Sequence, residues 1–174
     1  YEGGIRTPFI VSWPAGFPGG RTINTPVSSL DILPTALEAA QLPLPADRPL
    51  DGRSLLPLLT GRTTQHVETF YWSEGGEVGG FAVRSGDWKL VQQRNQTKVE
   101  LFNLAQDPGE KTDLAAQHAA KVAELSKLYD VWIEQMADPL SGAPKRLGGS
   151  GAASTKRSKA EKQRARAEKK QQPN

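Results

Sequence analysis

Four short runs of β-formers follow one another between residues 67 and 104, and a single long amphipathic pattern follows them. That order constrains the fold more than any other feature. Val67, Thr69, Phe70, Tyr71 and Trp72 make the first run; Phe81 and Val83, then Trp88, Leu90 and Val91, fall within 80–92; Val99, Leu101, Phe102 and Leu104 fall within 98–104. β-Branched and aromatic residues suit a pleated, half-buried surface. Ser85-Gly86-Asp87 supplies a turn, and Asn95-Gln96-Thr97 marks the tip of the last hairpin. Strands met in sequence, without intervening helices, predict an antiparallel meander. From Leu114 to about Met136, Val122, Leu125, Tyr129, Trp132 and Met136 recur at spacings of three and four. That is one apolar helix face, and it predicts a helix packed on the sheet. Thr112 or Asp113 is its expected cap, and Asp107-Pro108-Gly109-Glu110 is a turn before it.

The first 62 residues read differently. Phe9-Ile10-Val11-Ser12-Trp13, between Pro8 and Pro14, predicts a buried strand, and residues 14–20 a loop. Ser28, Ser29 and Asp31 are candidate caps of a helix starting near Leu30 or Asp31, which puts Pro34 in the first turn, where its missing N–H costs nothing. Leu33, Leu37 and Ala40 would share one face. A second Pro-rich loop spans 42–53, and Ser54–Leu59 is a short helical turn that Gly61 ends. Trp13, Trp72, Trp88 and Trp132 are expected mostly in the core.

Charge divides the chain. Residues 141–174 hold ten Lys/Arg against two Glu, while the other 140 residues hold twelve Lys/Arg against seventeen Asp/Glu. The basic balance therefore belongs to the tail, so no affinity of the body for nucleic acid follows from it. The tail's large apolar residues dwindle to Leu147, which predicts disorder. There is no cysteine, which excludes disulfides and thiolate chemistry within these residues. Neither a membrane-spanning run nor a signal segment is visible. The chain starts at Tyr1 and its one methionine is Met136, which leads us to expect a processed chain or a fragment.

Five motifs in order carry a resemblance. Tyr1-Glu2-Gly3-Gly4-Ile5-Arg6-Thr7-Pro8 leads into the apolar run; Asp31-Ile32-Leu33-Pro34-Thr35 opens the helix; Asp51-Gly52-Arg53-Ser54-Leu55 follows. Val83-Arg84 through Asp87-Trp88-Lys89-Leu90 is the fourth, and Glu100-Leu101-Phe102-Asn103-Leu104 with Asp107-Pro108-Gly109-Glu110 the fifth. Together, over roughly residues 1–137, they resemble the carboxy-terminal part of sulfatases of the alkaline phosphatase superfamily. The one departure in the opening motif is Thr7, where Val is commoner.

The resemblance implies an α/β, alkaline phosphatase-like fold represented by its end. Residues 1–62 would close the large α/β domain, residues 63–140 would form a small subdomain of antiparallel sheet and long helix, and residues 141–174 a disordered basic tail. It also implies hydrolysis of carbohydrate or aryl sulfate esters by a full-length parent. In the family, a formylglycine made within a Cys/Ser-x-Pro/Ala-Ser-Arg motif is the nucleophile, and a calcium ion gathers the sulfate oxygens. No such motif occurs here, and the family's calcium ligands and sulfate-binding Lys and His residues lie upstream. No catalytic, cofactor-binding or metal-ligating residue is therefore assigned, and this chain alone is expected to be inactive. A periplasmic or secreted setting accords with the family, while compartment and oligomeric state stay open. The partner would be a sulfated small molecule or glycan, with no nucleic acid and no membrane.

The residues also allow another reading, a non-catalytic binding module whose basic tail contacts an anionic polymer. Single groups carry less. Gly3 and Gly4 predict a sharp turn across which Glu2 and Arg6 pair as a structural clamp. His66 and His118 show no metal-ligand spacing and are expected in surface or helix-side roles. Asp47, Asp51, Glu74 and Glu77 form no recognisable carboxylate pair. Gly75–Gly80 lacks the Lys-Ser/Thr of a phosphate-binding loop. Asn95-Gln96-Thr97 fits a glycosylation acceptor.

Overall fold

The alternation that predicts strands also decides what each face of the sheet carries. The structure, a computed structural model, describes residues 1–75 and 79–137. Strands β1 (Thr69–Ser73), β2 (Phe81–Ser85), β3 (Trp88–Gln92) and β4 (Val99–Asn103) form one antiparallel sheet in the order 1-2-3-4. Val83 lies opposite Leu90, and Leu90 opposite Leu101, so the fully buried aliphatics stack in one row. Phe81 joins that row, and helix α4 (Ala119–Glu134) covers it with Leu125, Tyr129 and Ile133. Tyr129 stacks on Phe81 at 4.2 Å, and Trp132 on Tyr71 at 5.0 Å. Each such side chain contributes on the order of 1.5–3 kcal/mol through burial. The opposite face carries Ala82, Val91, Phe102 and Leu104, with Trp72 packed against them.

The long helix starts later than its apolar period suggests, at Ala119 rather than Leu114. The reason lies at the edge of β4. Asp113 Oδ1 accepts from the backbone N–H groups of Leu101 (3.1 Å) and Ala115 (2.9 Å), and Leu114 N–H donates to the Leu101 carbonyl at 2.8 Å. Residues 113–115 are thus pulled onto the sheet edge, where their polar groups are satisfied outside a helix. Asp113 secures that edge and does not cap α4.

Before the sheet lie a single helical turn α1 (Glu2–Ile5), then a 3₁₀ turn (Ser29–Asp31) running into α2 (Ile32–Ala39), then α3 (Leu56–Leu59). Gly61 follows α3 in the left-handed region, at φ 79°. The strand expected at 9–13 is absent: these residues pair with no strand, and Phe9, Ile10, Val11 and Trp13 are exposed, Ile10 by 91%. An extended segment becomes a strand only when a neighbour completes its ladder, and none of the described residues lies beside it as one. The apolar face of α2 stays largely open. Leu33 and Ala40 are exposed, Leu37 is half-buried, and the helix instead buries Asp31 and Pro34. Polar anchoring, described below, turns its apolar residues outward. None of the four tryptophans is fully buried; Trp72, Trp88 and Trp132 are half-buried shields at the margins of the sheet, and Trp13 is exposed. The basic tail at 141–174 lies outside the described residues.

Candidate functional site

The opening motif folds onto the second face of the sheet, and one cluster of charges holds it there. Glu2 is buried. Its Oε1 lies 2.9 Å from Lys89 Nζ, and its Oε2 lies 3.6 Å from Arg84. Lys89 is fully buried, and its Nζ is also 2.9 Å from Glu110 Oε1. The backbone N–H of Glu2 donates to Glu110 Oε2. Arg84 and Lys89 are register partners on β2 and β3, so both cations project from the same face at one level. Glu110 reaches them from the Asp107–Glu110 turn, where Glu110 itself sits at φ 52°. Asp107 Oδ2 fixes that turn by accepting from Lys111 N–H (2.7 Å) and Thr112 N–H (2.9 Å).

Tyr1 extends the cluster. Its ring meets Phe102 edge-on at 6.0 Å, and its hydroxyl hydrogen-bonds with Glu100 and Gln93. Burial first, and then the Glu100 carboxylate, push the phenol up to about 12. Tyr1 therefore stays a neutral donor across the physiological range.

The expected Glu2–Arg6 pair does not form. Arg6 is exposed, and Glu2 spends its carboxylate on Lys89 and Arg84. Gly3 and Gly4 do not take left-handed torsions either, and a Cβ at either position would meet nothing within 4 Å. Within this chain, neither turn geometry nor close packing requires glycine there.

A second cluster centres on Asp31, which is 1% exposed. Ser28 and Asp31 form a reciprocal capping box at the 3₁₀ turn, with Ser28 N–H donating to Asp31 Oδ2 at 2.8 Å. Asp31 Oδ1 accepts from Arg53 N–H at 2.8 Å. One helical turn on, Thr35 Oγ1 accepts from Leu55 N–H at 2.8 Å and donates to the Asp31 carbonyl at 2.6 Å. The Asp-x-x-x-Thr spacing thus grips the 53–55 loop at two backbone positions. Gly52 allows the approach, since a Cβ there would lie 2.0 Å from the Leu30 carbonyl oxygen. His66 joins this cluster. Its Nε2 lies 3.0 Å from Asp31 Oδ2, and its side chain is only 5% exposed, so a surface role is excluded.

The other candidates stay apart from both clusters. His118 is exposed just before α4, with its ring 5.0 Å from Trp88. Asp47 pairs with its neighbour Arg48, Asp51 is exposed, and Glu74 Oε2 accepts from Gly80 N–H at 3.0 Å. Asn95 sits at the exposed hairpin tip at φ 63°. Glu77 and the centre of the Gly75–Gly80 loop lie outside the described residues.

Chemically, both clusters act as anchors for the segments they join. The acids of the first face Lys89 and Arg84, and Asp31 accepts from two backbone N–H groups with His66 Nε2 at 3.0 Å. Among the described residues, no three or more His, Asp or Glu side chains converge as a metal site. These residues therefore do not fit the calcium ion that the resemblance implies. A cleft of about 260 Å³ beside Phe9, Val11, Trp13, Ile32 and Leu56 is apolar apart from Thr35. No helix of the described residues is long and apolar enough to cross a membrane.

Comparison with known proteins bears on this arrangement. Residues 1–136 match the family model described as N-sulphoglucosamine sulphohydrolase, C-terminal. Arylsulfatase A of Bos taurus is 38% identical over 140 residues, covering 66% of this chain and 27% of that protein. Steryl-sulfatase of Homo sapiens is 46% identical over 70 residues, covering 40% of this chain and 12% of that protein. Among solved structures, Ps i-CgsB superposes with a TM-score of 0.62 at 27% identity, over 69% of this chain and 27% of its own. It has also been solved in complex with k-i-k-neocarrahexaose. The phosphonate monoester hydrolase of Agrobacterium radiobacter shares the fold, with a TM-score of 0.51 at 23% identity. The chain spans between 12% and 32% of the length of the curated relatives it matches.

Proposed function

Because the chain belongs to the N-sulphoglucosamine sulphohydrolase C-terminal family of sulfatases, we propose that it is the supporting carboxy-terminal part of an enzyme that hydrolyses sulfate esters. On this reading, residues 1–62 close the large α/β domain and residues 63–140 form the small subdomain. Residues 141–174 are a basic appendage. The nucleophile, the calcium ion and the groups that hold the sulfate belong to the segment preceding Tyr1. On this reading the metal and the covalent step fall outside the described residues, among which no three or more metal-ligating side chains converge.

One observation carries the reading. The sheet is covered by α4 on one face and pinned by Glu2, Lys89 and Glu110 on the other, whereas an apolar surface of Phe9, Ile10, Val11, Leu30, Ile32 and Leu33 is left open on the 1–62 side. A surface of that kind marks an interface. An α/β domain that lays a strand beside residues 9–13 would satisfy the unpaired backbone and cover the apolar side chains together. Such a partner would also give Gly3 and Gly4 the close neighbour that this chain does not.

On this reading the substrate is a sulfated carbohydrate, a choice supported by the complex of the similar Ps i-CgsB with k-i-k-neocarrahexaose. Aryl sulfates are favoured by the arylsulfatase relatives. The rival reading as a binding module rests on the tail alone, and no described residue favours it. Sequencing the codons upstream of Tyr1 tests the proposal. An open frame encoding Cys/Ser-x-Pro/Ala-Ser-Arg is expected, and an upstream frame without that motif removes the enzymatic claim.

A further inference from the structure

The opening of a chain is ordinarily loose unless something ties it down. Here the sheet and the turn after it tie down Tyr1 and Glu2. The Tyr1 hydroxyl bonds with Gln93 and Glu100, and its ring packs on Phe102. Glu2 gives its N–H to Glu110 and its carboxylate to Lys89 and Arg84. Lys89, Glu100 and Glu110 stand 87, 99 and 108 positions along the chain from the residues they hold, so the grip belongs to the small subdomain. The Lys89, Glu110 and Glu2 side chains are only 0%, 2% and 8% exposed. Taking such charges out of water costs about what their attraction returns, so the cluster yields position more than stability. The grip also stops at once: Gly3, Gly4, Ile5 and Arg6 are exposed. It therefore does little for the run that follows, and most for the point at which a preceding residue joins Tyr1.

We propose that Tyr1 and Glu2 are positioning residues for sulfate-ester hydrolysis, through which the small subdomain fixes the end of the segment that carries the reactive groups. This inference rests on the sulfatase reading, which puts those groups before Tyr1. Successive Cα atoms are about 3.8 Å apart, so a residue two positions before Tyr1 lies within about 8 Å of it. A segment tethered that closely inherits the placement of Tyr1. Neither Tyr1 nor Glu2 touches the substrate on this account; both act through the backbone. Loosening the grip shifts the reactive groups without removing any of them. A misplacement of about 1 Å can slow a reaction on the order of a hundredfold. The loss falls on the rate of the bound complex, because the contacts that bind the substrate remain.

Steady-state hydrolysis of para-nitrophenyl sulfate by the full-length parent, well below its unfolding temperature, tests the proposal. Tyr1→Phe removes only the hydroxyl that Gln93 and Glu100 hold, and Glu2→Gln removes the charge that Lys89 and Arg84 face. In each, kcat is expected to fall roughly tenfold to a hundredfold with KM unchanged. Asp113→Asn loosens the outer edge of β4 and touches neither residue, so it reports a general loss of stability. Its kcat should stay at the parental value. Parental kcat in Tyr1→Phe overturns the proposal, and so does a rise in KM alone or an equal fall in Asp113→Asn. Tyr1 is 49% exposed and its ring is kept, so Tyr1→Phe decides the matter even where Glu2→Gln does not fold. A parent without turnover before any substitution removes the sulfatase reading and this inference with it. An active parent indifferent to both substitutions removes this inference alone.

Discussion

Lys89 is a cation buried to 0% exposure between two carboxylates, and its removal would leave Glu110 without its cation and Glu2 with Arg84 alone, at 3.6 Å. Lys89→Met should cost about 3–5 kcal/mol by urea unfolding, because breaking a buried pair strands a charge. Glu2→Gln should cost clearly less, since Lys89 keeps Glu110; a Glu2→Gln loss equal to that of Lys89→Met would show that the cluster is not shared in this way. The sequence held a clue to it: a lysine between Trp88 and Leu90-Val91 is a charge in a strand whose neighbours are apolar, which points to a paired cation. Its partner could not be read, because Glu2 is 87 positions away and Arg6 offered a nearer choice. Asp113 gives a second test at this scale. Burial pushes its carboxyl up, but the Lys98 ammonium and the N–H groups of Ala115 and Leu101 outweigh that and hold it below the ordinary carboxylate value. A carboxyl lowered in the folded state stabilises at pH values above its unfolded value, and the benefit is lost as pH falls through the folded one. The stability gap between the parent and Asp113→Asn should therefore be present near neutrality and close below about pH 4. A gap unchanged in acid would contradict the assignment.

At the level of elements, the helix start at residues 28–35 was legible because capping is local: Ser28, Asp31, Pro34 and Thr35 occupy the positions a capped first turn requires. What their side chains grip was not, since the 52–55 loop is defined by tertiary approach. Two glycine substitutions separate these effects. Gly52→Ala pushes a Cβ into the Leu30 carbonyl and should lower stability by roughly 1–3 kcal/mol. Gly3→Ala meets open space in a helical turn and should raise it by about 0.5–1 kcal/mol. Thermal unfolding reads both, and a shift of the same sign in the two variants would refute the geometry. Thr35→Val, which removes the acceptor for Leu55 N–H, should cost about 1–2 kcal/mol in the same measurement. The meander and the apolar face of α4 were legible throughout, because periods of two and of three to four survive packing. The start of α4 was not, because Asp113 draws residues 113–115 onto β4 instead.

Over the whole molecule, the misreadings concentrate on one side. The run at 9–13, with Trp13, satisfied sequence criteria for burial and is exposed, and Leu33 and Ala40 of α2 are exposed as well. Propensity describes what a segment prefers once a partner exists, and it does not supply the partner. The sheet and the apolar face of α4, which complete each other, came out as expected, although α4 starts only at Ala119. That contrast is what the proposed division of labour requires: a self-sufficient subdomain beside the margin of a larger domain, with the reactive groups elsewhere. The direct measurement is hydrolysis of a chromogenic sulfate ester by the purified chain with calcium supplied. The account predicts no turnover above the uncatalysed background. Turnover that copurifies with the chain and is lost on its unfolding would contradict it.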